Sequence, residues 1–236
     1  MTNPISMAIT NSLPKIKFCG LTRAEDVSAA IEYGADAIGL NFYRPSPRYV
    51  SPEIARGLSQ IAADRAMRVG VFVNASPHEV DAVLSTCPLD CIQLHGDETP
   101  EWIEQARSLP SLQSISFIKS VAWRDNDEDR EKVIAWTRSP ISRLLGLLVD
   151  AYDPVQRGGT GKMARWDLLF ARPKELRNTT ILLAGGLTAE NISLAIETAR
   201  PDGVDVASGI EISPGLKDHA KMQLIAEISK RLLPKS

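Results

Sequence analysis

The sequence predicts an α/β fold of one domain, a (β/α)8 (TIM) barrel, and three observations carry that expectation. Short apolar runs ending in a polar residue, each followed by a loop and a helical pattern, recur from Lys15 onward. Eight such units alternate, with crossovers of the length that parallel pairing requires. The run Leu147-Leu148-Val149-Asp150 delivers a carboxylate to what reads as a strand end, and the glycine-rich Gly158-Gly159-Thr160-Gly161 follows it. In a closed barrel the strand C-termini meet at one mouth, which would place Asp150 in it.

Taken in order, Ile16-Lys17-Phe18-Cys19 is the first strand. Thr22 and Glu25 then have the spacing of a capping box, ahead of helically spaced Val27, Ala30 and Ile31 and a stop at Gly34. Ala37 to Phe42 is apolar on both faces, as a buried parallel strand should be. Ser51-Pro52-Glu53 opens the second helix, with serine as cap and proline where its missing N–H costs nothing. Val69 to Val73 is the third strand, and Ser76-Pro77-His78-Glu79 repeats the opening formula. Cys91 to His95 is the fourth strand, with Thr99-Pro100-Glu101 starting its helix, and Ile115 to Val121 is the fifth. The charged stretch Asp125 to Arg138 holds a helix from Glu128 to Trp136. Leu144 to Asp150, Ile181 to Ala184 and Gly203 to Ala207 complete the strands. Thr188 is expected to cap a helix that buries Ile192, Ala195, Ile196 and Ala199. A last helix from about Leu216 to Leu232 should bury Leu224, Ile225, Ile228 and Leu232. An open doubly wound sheet is the alternative, but Cys19-Gly20-Leu21-Thr22 is not the G-x-G-x-x-G turn its dinucleotide-binding form usually carries.

Length and charge narrow the function. The 236 residues suit one large α/β domain, and a formal net charge of -2 leaves no cationic footprint for nucleic acid or an acidic membrane. Cys19, Cys87 and Cys91 lack the paired spacing of a zinc site, and their low, odd count suits a reducing cytoplasm. Residues 1–14 show neither a basic start nor a long apolar segment, so they read as a flexible tail, with Met7 as an alternative start, ahead of a barrel over 15–236. No apolar stretch is long enough to span a bilayer.

Polar residues at the strand C-termini form the candidate site: Cys19, Asn41, Arg48 just beyond, Asn74, His95 and Asp150. Three glycine-bearing strand ends follow, namely Gly158, Gly159 and Gly161, then Gly185 and Gly186, then Ser208 and Gly209. Such loops let backbone N–H groups close on an anion, and those after strands seven and eight occupy the usual barrel phosphate position. Read alone, Cys19 fits a small buried hydrophobe, and Asp150 fits a structural carboxylate as well as an acid. Asp205 fits an internal ion pair or loop anchor as readily as a catalytic group. His95 could titrate near neutrality. His78 and His219 read as solvated surface, and Arg48, in a proline-stiffened loop, as a surface charge or a carboxylate grip.

Together these stretches resemble the phosphoribosylanthranilate isomerase family of tryptophan biosynthesis. The resemblance rests on Lys17-Phe18-Cys19-Gly20-Leu21-Thr22, Ser46-Pro47-Arg48-Tyr49-Val50, Gly70-Val71-Phe72-Val73-Asn74 and Gln93-Leu94-His95-Gly96. It continues through Leu148-Val149-Asp150 with Gly158-Gly159-Thr160-Gly161, Ala184-Gly185-Gly186-Leu187, and Val204-Asp205-Val206-Ala207-Ser208-Gly209-Ile210-Glu211. It departs at Ala207, where the family usually has a second serine, and Asp125 to Arg138 matches no motif. The resemblance implies a cofactor-free Amadori rearrangement of a phosphosugar substrate, in the cytoplasm, by a monomer or a homodimer. It casts Asp150 as general acid at the ring oxygen and Cys19 as general base at C2′. It gives Arg48 the anthranilate carboxylate, with Asp205 and His95 positioning substrate or catalytic groups.

A free thiol is only about a few per cent thiolate at pH 7, so local dipoles or the iminium charge of the opened substrate are expected to help Cys19. Rival readings are the histidine-pathway aminoaldose isomerase, which has aspartate in place of Cys19, and indole-glycerol-phosphate synthase, which would need a catalytic lysine such as Lys119. A non-catalytic phosphosugar-binding protein on the same scaffold is the third.

Overall fold

The structure, a computed structural model, describes residues 12–124, 126–150, 166–170 and 172–234. Eight parallel strands close a barrel in sequence order: β1 (Ile16–Cys19), β2 (Ala37–Asn41), β3 (Met67–Phe72), β4 (Cys91–Leu94), β5 (Ser116–Ala122), β6 (Leu144–Asp150), β7 (Ile181–Ala184) and β8 (Gly203–Val206). The ring closes where Ile16, Lys17 and Phe18 pair with Val204, Asp205 and Val206. The strands have period two, so each sends alternate residues inward and outward. Phe18, Ile38, Leu40, Ile92, Leu94, Phe117, Leu147 and Leu183 point out into a continuous layer beneath the helices. Ala37, Met67, Val69, Cys91, Ile118, Leu148, Leu182 and Ala184 fill the barrel itself, and Leu13 packs against them. Lys17 and Asp205 are charged residues on inward-facing positions of adjacent strands.

The expected helix starts hold at α2 (Pro52–Ala62) and α3 (Pro77–Leu84), where Ser51 and Ser76 accept backbone N–H bonds and proline follows. Ser76 and Glu79 form a full capping box. Thr22 and Glu25 do not: α1 (Ala24–Glu32) has no side-chain cap, because the Thr22 hydroxyl donates at 2.7 Å to Gly215 O. Helix α4 (Pro100–Ala106) follows β4, and α5 (Asp127–Arg138) covers the charged stretch, capped by Asn126. Helix α6 (Ile192–Ala199) begins later than expected, with the Thr188 N–H taken by Asn191 Oδ1 instead of its hydroxyl serving as the cap.

Two further departures matter more. Among the described residues, the β6–β7 crossover contains only 3₁₀ turns, Trp166–Leu169 and Lys174–Leu176, where an α-helix was expected. After β8 the chain makes an antiparallel hairpin, β9 (Glu211–Ser213) and β10 (Leu216–Lys217), turning at Gly215 with φ 85°. The last helix, α7 (His219–Leu232), therefore starts after Asp218 and not at Leu216. Its buried face is Met222, Ile225, Ala226 and Ser229; Leu224 is 46% exposed, contrary to the sequence expectation. No helix among the described residues is long and apolar enough to cross a membrane.

Position in these layers sets the cost of truncation. Leu148→Ala removes a fully buried side chain from the barrel interior and should cost about 2–5 kcal/mol. Leu224→Ala should change stability by no more than about 0.5 kcal/mol. Urea unfolding monitored by circular dichroism checks both, and equal losses would contradict the layer assignment.

Candidate active site

A cavity of about 650 Å³ opens at the C-terminal mouth of the barrel. It brings together Cys19, Asn41, Arg48, His95, Asp150, Gly185, Gly186, Asp205 and Ser208, residues drawn from six of the eight strand ends. A second cavity of about 820 Å³ lies over β4 to β6 and shares Val73, His95 and Asp150 with the first. It is larger, but it contains neither Cys19 nor Arg48, so the smaller cavity is the one that matches the predicted chemistry. Gly158, Gly159 and Gly161 lie outside the described residues. Asn74 falls in the larger cavity, in a left-handed conformation (φ 54°).

Cys19 ends β1 with its side chain almost wholly buried, and Lys17 lies two residues below on the same inward face. A Cβ on Gly39, the β2 partner of Cys19, would stand 2.6 Å from the sulfur and 3.1 Å from Lys17 Nζ. The absence of that atom is what lets thiol and ammonium share one layer. Lys17 Nζ donates to Asp205 Oδ1 at 2.7 Å, and the lysine is fully buried. Burial pulls the ammonium down, but Asp205 and then Cys19 hold it above its ordinary value, so Lys17 stays charged. The ion-pair reading of Asp205 is therefore the one the structure contains. Burial also pushes the Cys19 thiol up; Lys17 opposes that rise and Asp205 adds to it. The free protein accordingly does not hold a depressed, ready thiolate.

Arg48 is placed by its loop and by the hairpin. Asn41 accepts from Tyr43 N and donates to Ser46 Oγ, and that oxygen accepts from Arg48 N at 3.1 Å. The guanidinium then meets Glu211 side-on, Nε to Oε1 at 2.7 Å and Nη2 to Oε2 at 2.6 Å. Gly20 (φ 70°) makes room for it, since a Cβ there would lie 2.4 Å from Arg48 Cδ. Burial pushes the Glu211 carboxyl up, yet hydrogen bonds from Arg48 and Lys217 hold it below its usual range. Lys217, also buried, donates to Cys19 O at 2.7 Å, Ala207 O at 3.0 Å and Glu211 Oε1 at 2.9 Å.

In the turn after β7, Gly185 and Gly186 both take positive φ, at 95° and 64°. Gly209 packs so tightly on Leu187 O, 1.7 Å from where its Cβ would be, that the turns after β7 and β8 touch backbone to backbone. This proximity makes one surface of two glycine turns.

The histidines divide. His95 Nδ1 lies 2.7 Å from Gln93 Nε2, and the surrounding protein at the barrel mouth, by partly desolvating the ring, holds its pKa below the ordinary value although its outer edge is exposed. His78 is exposed, as expected. His219 is not simply solvated: its Nε2 lies 2.8 Å from the buried Asp26 Oδ1. Lys119 is bound to Glu98 and Gly96 O, which leaves little for the rival that needs it as a catalyst. Among the described residues, no group of three or more His, Cys, Asp or Glu converges to hold a metal ion. Sequence reasoning missed Glu211, Lys217 and Lys17 as members of the site. A lysine in one apolar strand and an aspartate in another, Ile16-Lys17-Phe18 and Val204-Asp205-Val206, was the available signal for the buried pair.

A sequence model of the N-(5′-phosphoribosyl)anthranilate (PRA) isomerase family matches residues 16–228. The chain belongs to that family. It is 38% identical to the N-(5′-phosphoribosyl)anthranilate isomerase of Trichlorobacter lovleyi over 219 residues, covering 93% of this chain and 99% of the relative. It is 43% identical to that of Acidithiobacillus ferrooxidans over 208 residues, covering 88% and 93%. Among PRA isomerases of known structure, that of Thermotoga maritima superimposes with a TM-score of 0.78 at 37% identity, over 93% of this chain and 100% of the other. Another, solved in complex with reduced 1-(o-carboxyphenylamino)-1-deoxyribulose 5-phosphate, gives 0.75 at 35% identity, over 93% and 100%.

The electrostatics make two expectations concrete. Iodoacetamide should modify Cys19 slowly at pH 7, with a rate that climbs as pH passes the ordinary thiol value of 9.0; peptide mass spectrometry reads it, and rapid labelling at neutrality would contradict the buried-thiol assignment. Lys17→Met strands the Asp205 carboxylate and should cost about 3–5 kcal/mol. Adding Asp205→Asn should recover most of that loss in urea unfolding.

Proposed function

We infer that this chain isomerises N-(5′-phosphoribosyl)anthranilate to 1-(2-carboxyphenylamino)-1-deoxyribulose 5-phosphate, an aldose–ketose isomerisation in tryptophan biosynthesis. One observation carries the assignment of roles: Cys19 and Asp150 line a single cavity that also holds Arg48 and the glycine turns after β7 and β8. That set supplies an acid, a base, a carboxylate grip and a phosphate seat.

The chemistry follows from those parts. Asp150, entering protonated, gives its proton to the furanose ring oxygen as the bond from that oxygen to C1′ breaks. The nitrogen lone pair moves into a C1′=N iminium. Cys19 then takes the proton from C2′, and the released electron pair forms C1′=C2′ while the iminium electrons return to nitrogen. The enolamine so formed becomes the ketone as C1′ gains a proton and the C2′ hydroxyl loses one. Two groups in different environments suit this sequence, because acid and base must be ready together. Burial keeps Cys19 protonated in the free protein; the iminium charge beside it, with Lys17 beneath, favours loss of the thiol proton to solvent at the cavity mouth, and the thiolate left behind takes the C2′ proton.

Gly185, Gly186, Ser208 and Gly209 seat the phosphate through backbone and hydroxyl donors, and the family resemblance assigns Gly158, Gly159 and Gly161 to the same group. Arg48 takes the anthranilate carboxylate, neutral His95 borders the substrate, and Asp205 acts on the catalytic layer through Lys17. The compartment is the cytoplasm, a reading supported by three free buried thiols. A Thermotoga maritima relative is dimeric, and this chain functions as a monomer or a homodimer.

Loss of anthranilate fluorescence from freshly prepared substrate tests the reading. Wild-type protein should turn it over, while Cys19→Ser and Asp150→Asn each lose about 10²–10⁴-fold in kcat with unchanged far-ultraviolet circular dichroism. Wild-type rates in either variant would remove that residue from its role, and an inert wild type would remove the substrate.

A further inference from the structure

Arg48 reaches the cavity already bound on one side. A guanidinium offers five N–H donors on a rigid plane and two edges that can engage a carboxylate bidentately. Glu211 occupies the Nε–Nη2 edge at 2.7 and 2.6 Å, so a ligand can meet only the Nη1–Nη2 edge in that way. Glu211 is itself fixed, with only 9% of its surface exposed and Oε1 accepting from Lys217 Nζ at 2.9 Å and Gly215 N at 3.2 Å. The same Lys217 nitrogen holds the carbonyl of Cys19 at 2.7 Å. The bearing of the free Arg48 edge is thereby referred to the strand end that carries the thiol.

Charge bookkeeping points the same way. Arg48 and Lys217 are cations and Glu211 is one anion, so the cluster keeps one surplus positive charge that a single carboxylate would neutralise. We propose that Glu211 is a positioning residue that sets specificity for the arylamine carboxylate, by holding Arg48 so that one edge of the guanidinium faces the substrate. This rests on the substrate assignment above and adds to it the group that makes the carboxylate count.

The test compares two substrates in four proteins: N-(5′-phosphoribosyl)anthranilate and its carboxylate-free aniline analogue, with wild type, Arg48→Met, Glu211→Gln and the double variant. Product formation is followed by chromatography so that one assay serves both substrates. Arg48→Met should abolish the preference for the carboxylated substrate. Glu211→Gln, with Arg48 still present, should reduce that preference by on the order of 10- to 100-fold, mainly through KM for the carboxylated substrate. The double variant should lose no more preference than Arg48→Met alone, which marks the two residues as one unit. If Glu211→Gln slows both substrates equally, Glu211 only supports the fold and the inference is overturned, while the substrate assignment stands. If Arg48→Met keeps the preference, the carboxylate grip itself is wrong and the inference falls with it. Should Glu211→Gln lose its cooperative melt, Glu211→Asp gives the reading: it keeps the charge but withdraws it by one methylene, and an undiminished preference there overturns the inference.

Discussion

The Lys217 ammonium group holds three segments of the chain at once. Its donors go to the carbonyl that ends β1, the carbonyl that follows β8 and the carboxylate of the hairpin. A buried cation is costly unless its donors are satisfied and its charge is balanced. Here burial does pull its pKa down, with Glu211 opposing the shift, and all three partners are in place. Because two of those partners are backbone atoms, the arrangement fixes main-chain positions and leaves side chains at the same sites free to differ. Ala207 is a case in point: the family's usual hydroxyl is missing, yet its carbonyl remains the point of attachment.

A second buried pair lies one layer down. Lys17 and Asp205 face each other across the seam where β8 meets β1, so the closing register of the barrel also sets the electrostatic floor beneath Cys19. The two charges affect the thiol in opposite senses, and burial outweighs both. The result is a thiol held protonated in the free protein. A free thiolate would be open to oxidation and alkylation, and a buried, protonated thiol limits that exposure.

The barrel was legible because its signals are local and repeated. Apolar runs with serine–proline starts specify strands and helices from near neighbours alone, and the glycine pairs mark turns at the strand ends. What the sequence hid were pairings between distant positions. Thr22 has the spacing of a cap, but Gly215 claims its hydroxyl. Leu224 lies four residues before Ile228, but the inward face of α7 runs through Met222, Ile225, Ala226 and Ser229, and Leu224 falls beside it. Glu211 read as part of a family motif and Lys217 as the start of a helix, and neither assignment suggested a hold on Arg48. The Pro214-Gly215 turn between them was the one local hint.

The sequence distances inside the site carry their own consequence. Arg48 and Glu211 are 163 residues apart, and Cys19 and Lys217 are 198 apart. During synthesis the N-terminal strands emerge first, so the thiol and the guanidinium leave the ribosome long before the groups that orient them. A nascent or truncated chain that stops short of the hairpin lacks the partners that the Arg48 guanidinium and the Cys19 carbonyl have in the closed barrel. These contacts therefore form only after the hairpin through Lys217 has been made and docked.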